Sequence, residues 1–154
     1  MGVILERLQA AGLSLPDLPV AGGNYLPFRV VGSLVFLPGT ISSWNGDLRF
    51  RGKVGADLTV EQGYEAARLC TLNLLANLQS AIGDLDRVRQ VVTVNGYVNC
   101  VPGFPSTPKV INGASDLLVL LYGDAGRHVR AAVGVAALPL DAAVEVQMTV
   151  EIAP

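Results

Sequence analysis

Apolar positions recur at three- and four-residue intervals most regularly between Val60 and Ile82. Ala67, Cys70, Leu74, Leu78 and Ile82 form one stripe of a predicted helix. Thr59 and Gln62 stand at the spacing of a capping box, and Gly83 follows as a stop. Leu5 and Leu8 mark a shorter helix over Val3 to Ala11, ended by Gly12. Pro and Gly then break the pattern from Ser14 to Asn24, which reads as loop. Phe28 to Val31 and Leu34 to Leu37 alternate around Gly32-Ser33 as a predicted hairpin, closed by Pro38-Gly39. Ser42 to Gly46 reads as a turn, and Asp47 to Phe50 as a further short strand. Asp84 to Arg87 leads into a long strand, Val88 to Cys100, followed by a loop with Pro102, Pro105 and Pro108. A second helix is predicted over Val110 to Leu121, weakened by Gly113. Two alternating strands between His128 and Ile152 flank Leu138-Pro139-Leu140-Asp141 and close the chain as a strand pair.

The predicted order is ββ(β)αβαββ, with hairpins at both ends. It implies an α+β domain: a mixed sheet with two long helices on one face. Nothing remains to cover the other face. That face is predicted to be apolar or semi-apolar, and so to pack against further copies of the chain. Within the closing strands, Arg130 and Glu145 interrupt otherwise apolar runs. Strand side chains alternate between faces, so each charge either meets solvent or lines a site.

Composition narrows the function. At 154 residues the chain is one domain with a sizeable core. Its hydrophobic fraction is 51% and its mean hydropathy is +0.45, yet no apolar run is long enough to suggest a membrane span. Glu6 and Arg7 stand where a secretion signal would need its apolar core. The two cysteines, Cys70 and Cys100, lack metal or redox spacing, which fits a cytoplasmic protein with reduced thiols. Cys70 lies on the apolar stripe and reads as core. The net charge of −2 gives no basic stripe for nucleic acid. His128 is the single histidine, so a histidine-based triad and a multi-histidine metal site are both read as excluded.

Four segments carry a resemblance to the RidA/YjgF family of imine deaminases, also labelled endoribonuclease L-PSP. Asn24-Tyr25 with Gly32-Ser33-Leu34-Val35-Phe36-Leu37-Pro38-Gly39 resembles the family's opening hairpin. The long helix, with Ala-Ala-Arg and Asn-Leu, followed by Asp86-Arg87-Val88, is similar to the next segment. Phe104 with Val110-Ile111-Asn112 resembles the start of the second helix. The steps from Arg130 to Pro139 and from Pro139 to Glu145 match the family's R-x-x-V-x-V-x-x-L-P-x-x-x-x-V-E-V pattern, which is the most specific of the four. The resemblance runs from about Gly22 to Ile152. It implies a chorismate-mutase-like homotrimer with sites in clefts between subunits. Residues 1–154 then form a single domain, with 1–21 as an N-terminal helix and loop extension.

The resemblance implies a hydrolase that converts small 2-imino or enamino acids to 2-oxo acids and ammonia, with no metal or organic cofactor. Arg130 would bind the substrate carboxylate, a task suited to a planar, bidentate guanidinium; a structural ion pair is the alternative. Glu145 would orient or activate water, since a carboxylate in an apolar cleft has a raised pKa; the alternative is a partner to Arg130 or another cation. Tyr25 would supply a hydroxyl and an aromatic wall, or else serve as a packing aromatic. Asn112 would lie near the cleft or cap the second helix. Gly39 would let the backbone approach a ligand, or simply serve a turn.

The chain departs from the family where Pro38 replaces a serine and Ala131-Ala132 replace a hydroxyl and a thiol. The proline-rich Cys100–Pro108 loop is also longer than the family's, and Trp44 is left as a pocket lid or a surface aromatic. These departures mark a divergent branch. They leave open a second reading, a non-catalytic protein that binds small carboxylates on the same scaffold. A third reading, RNA cleavage, conflicts with the acidic composition.

Overall fold

The computed structural model describes residues 1–154. Eleven elements follow in order: α1 (Val3–Ala10), β1 (Arg29–Val31), β2 (Leu34–Phe36), β3 (Thr40–Ile41), β4 (Ser43–Trp44), β5 (Asp47–Leu48), α2 (Val60–Ile82), β6 (Val88–Asn99), α3 (Thr107–Tyr122), β7 (Val129–Val135) and β8 (Val144–Ile152). The sheet runs β1-β2-β8-β6-β7, with β3 also paired to β8. Only β6 and β7 are parallel. The α+β architecture and mixed sheet agree with the sequence reading.

The predicted bounds of α2 match those observed. The Thr59 hydroxyl accepts from Gln62 N–H, and the Gln62 side chain accepts from Thr59 N–H. Such a cap stabilises a helix by about 1 kcal/mol. The predicted stripe is buried, but so is nearly every other position from Ala66 to Leu78. The sheet, α3 and the β4 segment surround α2, so one amphipathic stripe understates its environment. Leu74, Leu75 and Leu78 are fully buried. Burial of each side chain contributes roughly 1.5–3 kcal/mol.

Both long helices lie on one face of the sheet. Val94 and Val98 of β6, and Val144, Val146, Met148 and Val150 of β8, point into the 31-residue core beneath them. Helix α3 begins at Thr107, three residues before the predicted start, with Pro108 in its first turn, where a missing N–H costs nothing. Its Gly113 is required by packing. A Cβ there would collide with the Tyr64 carbonyl oxygen of α2. At the N-terminus, Asp86 accepts from Val3 and Ile4 N–H at 2.8 and 2.9 Å and so caps α1 from outside it. The buried pair of α1 is Ile4 and Leu8, where Leu5 and Leu8 were expected.

Three expectations change. First, the closing strands are not a hairpin, because β6 lies between β7 and β8. The connection 136–143 crosses the end of β6, and that end holds it in place. Asn99 donates its side-chain amide to the Ala142 carbonyl, Gly52 N–H donates to the Asp141 carbonyl, and Ala143 N–H donates to the Phe50 carbonyl. Second, the turn and strand expected over 42–50 form a separate two-stranded ribbon, β4 and β5 around Asn45-Gly46, while the unanticipated β3 joins the main sheet. Third, the uncovered face is semi-apolar and polar at its centre. Its middle carries Asn95 and Tyr97 of β6 with Glu145, Gln147 and Thr149 of β8. Its borders carry exposed Phe36 and Val31 on one side and Val129 and Val133 on the other. Apart from Val92 at a register irregularity, the valines of the two central strands take the helix-side alternation, which leaves polar residues on the open side.

Candidate functional site

Arg130 lies on the edge strand β7, in register with the buried Val94, so its side chain takes the helix side of the sheet. There it meets α3. Nη1 donates to Ser115 Oγ at 3.0 Å, and Nη2 donates to the Pro108 carbonyl at 3.2 Å. Two of the five guanidinium N–H groups are thus engaged, leaving three for a ligand. Ser115 Oγ also lies 2.9 Å from His128 Nε2, while His128 Nδ1 lies 2.7 Å from the Gly126 carbonyl. Burial, with Arg130 adding to it, holds the His128 pKa below its usual value against the opposing pull of the Gly126 carbonyl.

Glu145 stands in a different setting. It is in register with Tyr97 on one side and Ile41 on the other, and so points to the open face. It is half-buried, and that burial raises its pKa above the usual carboxylate value. None of the chain's side-chain hydrogen bonds or ion pairs ends on its carboxylate. Gly39 lies against it. A Cβ on Gly39 would stand 2.6 Å from Glu145 Oε2, so the absent side chain makes room for the carboxylate.

The two charges are not partners within one chain. Their strands lie two strand spacings apart, roughly 10 Å, and the registers at Val94 and Tyr97 add roughly 10 Å along β6. They also face opposite sides of the sheet. The alternative of an Arg130–Glu145 ion pair is therefore set aside within a subunit. A surface hollow of about 460 Å³ between Arg87, Arg89 and Ala153 touches neither residue.

The remaining candidates divide between these two places. Gly39 belongs with Glu145. Asn112 is the sixth residue of α3 and so is not its cap; with Pro108 and Ser115 it shares the i, i+4, i+7 stripe that meets Arg130. Tyr25 lies apart in the exposed loop before β1, its hydroxyl accepting from Gly22 N–H. Trp44 sits on the small ribbon, with the Arg49 guanidinium 5.7 Å from its ring centre. Ala132, two residues after Arg130, takes the same face and puts a methyl where the family pattern has a thiol.

Sequence reading missed Ser115 and Tyr97, and weighed His128 only to set aside metal and triad roles. The helical spacing 108–112–115 and the alternation of Asn95 and Tyr97 were visible signals. The elements they would meet were not. No helix is long and apolar enough to cross a membrane.

Comparison with known proteins supplies a further finding. Residues 5–152 match the family described as YjgF/chorismate_mutase-like, putative endoribonuclease. The chain is similar to protein TCP17 of Trypanosoma cruzi, 41% identical over 152 residues, covering 98% of this chain and 95% of that protein. It is similar to the crystal structure of Atu1372 from Agrobacterium tumefaciens: 42% identity, TM-score 0.90, 97% of this chain and 92% of that one. RidA from the Antarctic bacterium Psychrobacter sp. is more distant, at 25% identity and TM-score 0.63, covering 88% of this chain and 94% of that one.

Proposed function

The chain belongs to the YjgF/chorismate-mutase-like family, and on that premise we propose that it hydrolyses small 2-imino or enamino acids to 2-oxo acids and ammonia. The observation that carries this reading is Glu145: a half-buried carboxylate with no partner, seated against the bare backbone of Gly39. Burial raises the pKa of such a group, so it exchanges protons at higher pH than a paired or fully solvated carboxylate does.

In the proposed reaction, water adds to the carbon of the protonated imine while Glu145 accepts the water's proton. The carbinolamine nitrogen takes that proton back and the carbon–nitrogen bond breaks to release ammonia. Glu145 accepts the hydroxyl proton as the carbon–oxygen double bond of the 2-oxo acid forms, then passes it to the ammonia, which leaves as ammonium. Arg130 pairs with the substrate carboxylate through the N–H groups it does not spend on α3. The protonated imine is itself electrophilic, so the scheme routes no step through a cofactor.

Arg130 and Glu145 act together here only if different subunits supply them. The outer side of β7 is an unpaired sheet edge with exposed Val129 and Val133 beside Arg130, a surface suited to burial against another copy. We therefore place the site in a cleft of a homotrimer, with Arg130 from one copy and Glu145 and Gly39 from the next. In this scheme Asn112 lies beside the Arg130 half and Tyr25 closes the cleft from its exposed loop.

The test is a coupled assay. An amino-acid oxidase generates imines in situ, and their decay is followed with wild type and with Arg130→Ala. Faster decay that disappears in the variant supports the reading, and equal decay in both sinks it. A second reading, carboxylate binding without turnover, is favoured by Ala132 and Pro38, which leave no thiol or hydroxyl at those positions. Pyruvate binding without accelerated imine decay would select it.

A further inference from the structure

Two hydrogen bonds through Ser115 tie Arg130 to the only histidine of the chain, and a third ties that histidine to the backbone. Arg130 Nη1 donates to Ser115 Oγ at 3.0 Å; Ser115 Oγ and His128 Nε2 are 2.9 Å apart; His128 Nδ1 and the Gly126 carbonyl are 2.7 Å apart. A carbonyl oxygen only accepts, so Nδ1 carries a hydrogen. With Nδ1 protonated, a neutral ring leaves Nε2 as an acceptor, and the Ser115 hydroxyl donates to it. That orientation directs the serine's lone pairs away from His128 and leaves one for Arg130. Every polar atom in the series then has a matching partner, and only one cation, Arg130, bears on the serine oxygen.

We infer that Ser115 and His128 are positioning residues that hold Arg130 ready for a small carboxylate while the imidazole is neutral and release it when the imidazole is protonated. The inference rests on the reading of Arg130 as the carboxylate anchor. A protonated His128 donates from both nitrogens. Ser115 Oγ then faces two cationic donors, at 3.0 and 2.9 Å, with the like charges repelling across one oxygen. The guanidinium is the part able to move, because it ends a long flexible side chain, whereas the imidazole is also held by the Gly126 carbonyl.

No other charge is placed to offset this. On α3, the Asp116 carboxylate accepts from Tyr64 at 2.7 Å. In the turn 123–126, Asp124 pairs with Arg127 at 3.3 Å. Strand β6 brings only Thr93, Val94 and Asn95 alongside residues 129–131. Burial and the Arg130 charge both favour the neutral ring.

The experiment measures pyruvate binding by calorimetry at about pH 7.5 and at an acid pH where the imidazole spectrum shows the ring protonated. A single histidine also gives one imidazole signal in ¹⁵N–¹H spectra, which reads tautomer and titration without assignment. In wild type, affinity is expected to fall about tenfold toward acid pH, the scale of one hydrogen bond to a charged group. His128→Gln keeps an acceptor but does not titrate, and its affinity is expected to lose this pH dependence. Ser115→Ala is expected to weaken binding about tenfold at the higher pH, with Ser115→Thr restoring it.

An acid-side loss unchanged in His128→Gln, or wild-type affinity in Ser115→Ala, overturns the inference. Arg130→Ala separates the two claims. If it binds like wild type, the anchor reading fails; if it abolishes binding while the other variants behave as wild type, only the positioning role fails. If wild type does not bind pyruvate, the anchor reading falls and the spectra decide positioning. The Nε2 signal must then move in Ser115→Ala, where no hydroxyl donates to it, and the imidazole must titrate at higher pH in Arg130→Gln. Unchanged spectra overturn it.

Discussion

Arg130 and Glu145 sit fifteen residues apart in sequence yet occupy opposite kinds of environment. Arg130 is held: two of its donors are spent on α3, and a serine and a histidine stand behind it. Glu145 is left alone: it faces the open side of the sheet, desolvated and without a partner, next to a glycine. A cation that must present a fixed geometry to a carboxylate gains from being anchored. A carboxylate that must exchange protons gains from being unpaired, because an ion pair would hold its pKa down. The contrast fits a division of labour in which one residue orients and the other moves protons.

The strongest way to break this comparison is to remove the oriented charge. Arg130→Ala is expected to lower kcat/KM for imine hydrolysis by about a hundredfold or more, the scale of a lost charge-assisted, bidentate contact, while size-exclusion chromatography shows the same oligomer as wild type. Full activity would mean that the anchor lies elsewhere.

Glu145→Gln comes next. It keeps the shape and removes the proton exchange, so kcat is expected to fall by about a hundredfold, within the range for a general acid–base group. The wild-type rate is expected to fall toward acid pH through a midpoint above the usual carboxylate value, because protonated Glu145 cannot accept from water. A pH–rate profile that keeps this limb in the variant would assign it to another group.

Gly39→Ala asks whether the bare backbone matters. The new methyl would strike the Glu145 carboxylate, so the side chain must shift. A drop in kcat of about tenfold is expected for a catalytic group displaced by a fraction of an ångström. Wild-type kcat would show that Glu145 tolerates displacement.

The smallest effect concerns stability. The folded chain raises the Glu145 pKa, so it binds that proton more tightly than the unfolded chain does. Relative to neutral pH, Glu145 therefore favours folding at acid pH, and that contribution is lost as pH rises through its raised folded value. Glu145→Gln is expected to raise Tm at neutral pH by at most about 2 °C, because solvent screens a half-exposed carboxylate. A fall in Tm would mean that the carboxylate makes a stabilising contact instead. Calorimetry at two pH values reads both the size and the sign.

Legibility in the sequence followed the range of the interactions. Helix α2, its cap and its stop were all visible, because the Thr59–Gln62 box and the three-to-four spacing act within a few residues. The first hairpin was visible for the same reason. The relation of β7 to β8 was not. Two alternating runs joined by a short connection read as neighbours, whereas here the connection is held at the end of β6 by Asn99, Gly52 and Phe50 from distant parts of the chain. Candidate chemistry divides in the same way. The family resemblance singled out Arg130, Glu145 and Gly39 but carried no information on which face each would take relative to the others.

The sequence by itself therefore determined the element types, the buried helix, the α+β class and the residues with chemistry to offer. These depend on local propensity and on the period of apolar positions. Only the tertiary structure decided the strand order, and with it that Arg130 and Glu145 lie across the sheet from each other. Tertiary structure also decided that Ser115 and His128 meet Arg130. Faces follow from register, and register is set by contacts between segments far apart in the chain.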